Sequence, residues 1–113
     1  MEDIAARIVG EVGSWDGVTT HDHRFGGIEF RVGRRDLGHL HGTRWADVRF
    51  HQGIRDMLVE TGRAQAHHVL PHTGWVSKQI RSEDDADEVV ELFRLAWERA
   101  RVGEHIDASR AEE

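Results

Sequence analysis

Four segments that each suit a β-strand, residues 18–23, 28–32, 37–41 and 45–50, follow one another with three or four residues between them. Parallel neighbours need a crossover of roughly a dozen residues or more, so connections this short impose an antiparallel meander. Alternation is cleanest in Ile28-Glu29-Phe30-Arg31-Val32, where every second side chain is apolar. The intervals Arg24-Phe25-Gly26-Gly27 and Gly33-Arg34-Arg35-Asp36 carry turn residues and read as four-residue hairpin loops.

Helical periodicity brackets the meander. Ile4, Ile8 and Val12 form one stripe and predict a helix over 3–12. Residues 51–61 predict a second, with Ile54, Met57, Leu58 and Thr61 on one face and Gly62 placed to cap its end. Two more strands follow at 64–69 and 75–80, joined by Leu70-Pro71-His72-Thr73-Gly74. Ser82-Glu83-Asp84-Asp85 resembles a capping box with an acidic first turn. Beyond it Ala86, Val89, Val90, Phe93, Ala96, Trp97 and Ala100 share one face of a third helix. The order α-ββββ-α-ββ-α predicts an α+β fold, a single antiparallel sheet of about six strands with helices packed on one face. Residues 1–103 read as one domain, and the polar stretch 104–113 after Gly103 as a disordered tail.

The 113 residues contain no cysteine, which removes disulfides, thiolate metal sites and cysteine nucleophiles. Any metal would therefore have nitrogen and oxygen ligands. No apolar run approaches the length of a membrane span, and the acidic start Met1-Glu2-Asp3 lacks a following apolar stretch, so a cytoplasmic location is expected. The net charge of −6 is uneven. Residues 21–50 carry six arginines against four acids, whereas residues 82–113 carry eleven acids against four arginines. This balance disfavours non-specific nucleic-acid binding and leaves room for a local basic patch.

Chemistry is concentrated in the histidines. Eight of the nine lie between residues 21 and 72, four of them in the pairs His21/His23 and His39/His41. Residues i and i+2 of a strand point to the same face, so each pair presents two imidazoles together. With the four-residue loops assumed above, the cross-strand rows become His21–Phe30–His39 and His23–Ile28–His41. The imidazoles would then surround a pocket floored by Phe30. A one-residue slip or a bulge would instead send them to the other face, beside Glu29 and Arg31. His21, His23, His39 and His41 are thus candidate ligands of a divalent transition metal such as zinc or nickel. His21 and His39 are candidates for general base and acid. Arg24, Phe30, His68 and Trp75 are candidates for contacting a small anionic ligand.

Each signal has a plainer reading. Histidine is a tolerable half-buried strand residue. Asp22 and Asp36 can orient an imidazole but sit where turns favour aspartate. Arg24, Arg31, Arg34, Arg35 and Arg44 can form a face for protein or DNA, or simply a solvated surface. Monomer and homodimer are equally compatible with the sequence.

The segments Trp15-Asp16-Gly17-Val18, His21-Asp22-His23-Arg24-Phe25-Gly26-Gly27, Gly38-His39-Leu40-His41-Gly42 and His67-His68-Val69-Leu70-Pro71-His72-Thr73-Gly74-Trp75 resemble, in this order, a small bacterial domain of unknown function named the luciferase domain. The resemblance spans nearly the whole chain, from about Ile4 to Ala100. It implies no known reaction, and it is unrelated to the large barrel of flavin-dependent luciferases. Its motifs mark His21, His23, Arg24, His39, His41, His68 and Trp75. The closing strand–strand–helix is also similar to MmcQ/YjbR-like domains, some of which are proposed to bind DNA.

Overall fold

The computed structural model describes residues 2–23, 26–67 and 73–112, with side chains up to Arg101. The elements run α1 (Glu2–Gly13), β1 (Val18–His23), β2 (Gly27–Val32), β3 (Arg35–His41), β4 (Trp45–Arg49), α2 (Gln52–Glu60), β5 (Gln65–Ala66), β6 (Trp75–Gln79) and α3 (Glu83–Glu112). One six-stranded sheet has the order β1-β2-β3-β4-β6-β5, with every pair antiparallel. The fold is therefore α+β in the predicted order. The strand expected over 64–69 is described only at Gln65–Ala66, and residues 68–72, which include His68 and His72, lie outside the described residues. None of the described helices is long and apolar enough to cross a membrane.

The core lies between the sheet and the helices. Phe30, Val32, Leu40, Ala46, Val48 and Val76 project from the sheet and are buried. Ile8 and Val12 of α1, and Val89, Leu92 and Phe93 of α3, cover them. Phe30 meets Phe93 edge to face at 5.0 Å between ring centroids. Trp97 shares the apolar stripe in sequence but stands at its margin. It is only half-buried, stacks near Trp15 at 5.5 Å and donates its indole N–H to the Asp16 carbonyl.

Caps define the helix starts. Ser82 Oγ accepts from the Asp85 N–H, and the Asp85 carboxylate accepts from the Arg81 N–H, a close variant of the predicted box. The backbone of α3 continues through Gly103 to Glu112 rather than breaking there. A single glycine costs a helix only about 1 kcal/mol.

The register differs from the simple loop count. His23 pairs with Gly27, so β1 and β2 leave three residues between them, with Gly26 at φ +79°. Val32 pairs with Arg35 across the two-residue turn Gly33-Arg34, with Gly33 at φ +59°. A bulge then accommodates Leu37, and the pairing resumes as Phe30↔Gly38 and Glu29↔His39. Left-handed glycines allow tighter turns than four residues; each residue removed moves the partner by one, and in the second hairpin the bulge restores one of the two removed.

Candidate functional site

These shifts decide which face carries the histidines. His21 pairs with Glu29, Glu29 with His39, His39 with Asp47 and Asp47 with Ser77. Paired residues share a face. The imidazoles therefore stand on the side opposite the helices, beside Glu29. Phe30 alternates to the other side and is fully buried in the core, so it cannot floor a histidine pocket. The rows expected through Phe30 and Ile28 are corrected to rows through Glu29 and Gly27.

Three of the four strand histidines converge. His23, His39 and His41 each place a ring nitrogen within 4.8 Å of the others. His23 stacks on His39 at 4.0 Å, and His39 stacks in turn on Trp75 at 5.0 Å. His41 stands nearly perpendicular to both histidines and stacks on Trp45 at 4.8 Å. His21 does not join them. Its Nε2 lies 2.9 Å from Thr19 Oγ1 on its own exposed strand. His23 pairs with Gly27, which has no side chain and lets the ring lean inward, whereas Glu29 stands between His21 and His39.

Carboxylates surround the rings. Asp36 Oδ2 lies 3.3 Å and Glu29 Oε1 3.6 Å from His39 Nε2. The other oxygen of Glu29 is held by Arg31 at 2.5 Å. Asp47 is buried at 3 % exposure, the one buried charged residue among those described. It accepts from Ser77 Oγ at 2.6 Å and sits 2.9 Å from His41 Nε2 and 3.6 Å from His67 Nε2. A carboxylate only accepts, so Nε2 of His41 carries its proton. In the neutral ring, Nδ1 of His41 then keeps a free lone pair, the arrangement by which a carboxylate orients a metal-binding imidazole.

The two stacked histidines are pushed in opposite directions. Burial lowers the His23 pKa below 6.5, and the neighbouring charges of His39 and His41 lower it further. Burial also opposes the charged form of His39. The hydrogen bond and charge of Asp36, with Glu29 and Asp47, outweigh it, and the net shift is above 6.5. Nuclear magnetic resonance of metal-free protein should therefore show His39 titrating at higher pH than His23. Asp36→Asn removes an anion that favours imidazolium and should lower the His39 midpoint. Coincident midpoints, or a His39 midpoint indifferent to Asp36, would contradict this arrangement.

Among the other residues singled out from sequence, Trp75 brackets His39 and lies 6.2 Å from His67. Arg24 and His68 lie outside the described residues. Arg31 is engaged with Glu29, and Arg34 and Arg35 stand at the far end of β3. Asp47 was not anticipated as a site residue, whereas His67 was grouped with His68 as an addition to the two pairs. The signal for Asp47 was present: within Trp45-Ala46-Asp47-Val48-Arg49-Phe50 the apolar phase is set by Ala46, Val48 and Phe50. That phase places Asp47 in mid-strand on the histidine face.

Neither curated proteins nor solved structures yield a match to this chain. The family model of the Luciferase domain matches residues 34–96, a stretch that holds His39, His41, Asp47, His67 and Trp75 and leaves His21 and His23 outside. That stretch is more than half of the chain, and the protein belongs to the luciferase domain family.

Proposed function

We propose that this protein binds a divalent transition metal on the open face of its sheet, through His23, His39 and His41, with zinc or nickel as the fitting ions. The observation that carries the reading is the convergence of three imidazole nitrogens within 4.8 Å, with Glu29, Asp36 and His39 forming a second such group beside them. Imidazole suits zinc, nickel, copper and iron, and the added carboxylates keep the donor set hard enough for a divalent ion. Asp47 supports the reading as the group that fixes the His41 ring.

The same acids weigh against a bound anion at this place. Three carboxylates, Glu29, Asp36 and Asp47, lie within 3.6 Å of ring nitrogens in the cluster. They would repel a phosphate or carboxylate and attract a cation. A three-histidine set also leaves a coordination position open, as reactive metal sites do and closed structural sites do not. The stacked His23 and His39 rings must splay to direct both lone pairs at one ion.

Calorimetric titration of chelator-stripped protein with zinc, nickel and inorganic phosphate tests the reading. One equivalent of zinc or nickel should bind and phosphate should not. Affinity should fall on acidification, because protons compete for the imidazoles. Absence of metal binding at millimolar concentration would leave the histidines as structural residues.

A further inference from the structure

A second site lies at the opposite end of the same strands, where no histidine pair points. A cavity of about 780 Å³ opens between the β2–β3 turn, the junction of β4 with α2, and α3 near Ala96 to Ala100. That volume falls within the range of small-molecule sites, about 300–1,000 Å³. Four arginines line it: Arg34, Arg35, Arg49 and Arg99. No guanidinium of the four makes a hydrogen bond or an ion pair among the described residues. Five other arginines, Arg7, Arg31, Arg55, Arg94 and Arg101, each have a carboxylate partner. In a chain with a net charge of −6, four guanidiniums gathered around one acid, Asp36, are a local cationic site.

The lining has a second character. Leu37, Phe50, Ile54 and Ala96 supply an apolar floor, and Leu37 and Phe50 are almost wholly buried beneath it. The first turn of α2, which also faces the cavity through Gly53 and Ile54, contains no acid to compensate its positive end. Asp36 is the one acid in the lining. Its oxygens are committed to His39 Nε2 and to the Gly38 N–H.

We propose that this cavity binds a small organic phosphate, with the phosphate held by guanidiniums from β3, β4 and α3 and an apolar body resting on Leu37, Phe50 and Ile54. Guanidinium forks match phosphate oxygens in pairs. Several unneutralised arginines suit a dianionic group better than a single carboxylate. The floor distinguishes an organic ester from free phosphate. The site shares Asp36 with the histidine cluster, but its arginines and apolar floor belong to neither donor group there.

Phenyl phosphate is the probe, titrated against the full chain beside inorganic phosphate and a short DNA duplex. Phenyl phosphate should bind more tightly than inorganic phosphate. Arg35→Gln and Arg99→Gln, exposed positions on β3 and α3, should each weaken it about tenfold while the thermal midpoint stays near wild type. His21→Ala, on β1 and outside the cavity lining, should leave it unchanged. The proposal is overturned if phenyl phosphate fails to bind at millimolar concentration, or if both arginine variants bind like wild type. It is overturned equally if inorganic phosphate binds as well as the ester. Tighter binding of the duplex, with a steep salt dependence, would replace the proposal with a nucleic-acid face.

Discussion

His39→Ala is expected to weaken zinc binding more than about a hundredfold, while His21→Ala leaves it within a factor of about two. Loss of a group that merely orients a ligand already costs 10–100-fold in metal affinity, so loss of a central ligand costs at least that. His39 is central because it belongs to both donor groups, one with His23 and His41 and one with Glu29 and Asp36. His21 is set apart by its contact with Thr19. Competition with a chromophoric chelator reads both affinities. Equal losses in the two variants would mean that His21 is a ligand alongside His39, against the set of His23, His39 and His41.

The largest effect on stability is expected at Gly38. Its φ is +148°, and a Cβ there would collide with the Asp47 carbonyl oxygen and lie 2.9 Å from Val48 Cα and 3.0 Å from Phe93 Cε1. Gly38 lets β3 and β4 close under α3 at the point where Asp47 enters the site from the neighbouring strand. Gly38→Ala combines unfavourable backbone with overpacking against atoms that cannot move aside, and should cost roughly 3 kcal/mol or more. Gly42→Ala is the control. It also has a positive φ, +58°, but nothing lies within 4 Å of its added Cβ, so about 1–2 kcal/mol is expected. Urea unfolding reads both. A Gly38→Ala cost no greater than that of Gly42→Ala would show that the strands separate freely here.

The element order was legible because it rests on two strong periodicities. Alternation in Ile28–Val32 and the stripe from Ala86 to Ala100 leave little choice of secondary structure. Register was not legible. It depends on whether a turn uses two, three or four residues, and Gly26 and Gly33 permit the tighter forms through left-handed backbone. An error of one residue carried Phe30 to the histidines and Glu29 away from them, the reverse of the actual faces.

The candidate site shows the same division. The pairs His21/His23 and His39/His41 announced imidazoles on a common face, and Trp75 was recognised beside them. Which three of the four would meet depended on their partners across β2, Glu29 for His21 and Gly27 for His23, and on the local capture of His21 by Thr19. Asp47 and His67 come from β4 and from the end of β5, distant in sequence and brought together by the β4–β6 and β5–β6 pairings. The arginine cavity is likewise a property of the assembled fold. Arg34 and Arg35 looked like part of one basic face with Arg31, but Arg31 turns to Glu29 on the histidine side. Arg99, remote in sequence, becomes their neighbour.

X-ray absorption at the zinc edge of protein loaded with one equivalent of zinc tests the central claim most directly. The account predicts a first shell at about 2.0–2.1 Å with the multiple-scattering signature of three imidazoles, falling to two in His41→Ala. A shell of oxygens alone, or a spectrum unchanged in His23→Ala, His39→Ala and His41→Ala, would contradict it.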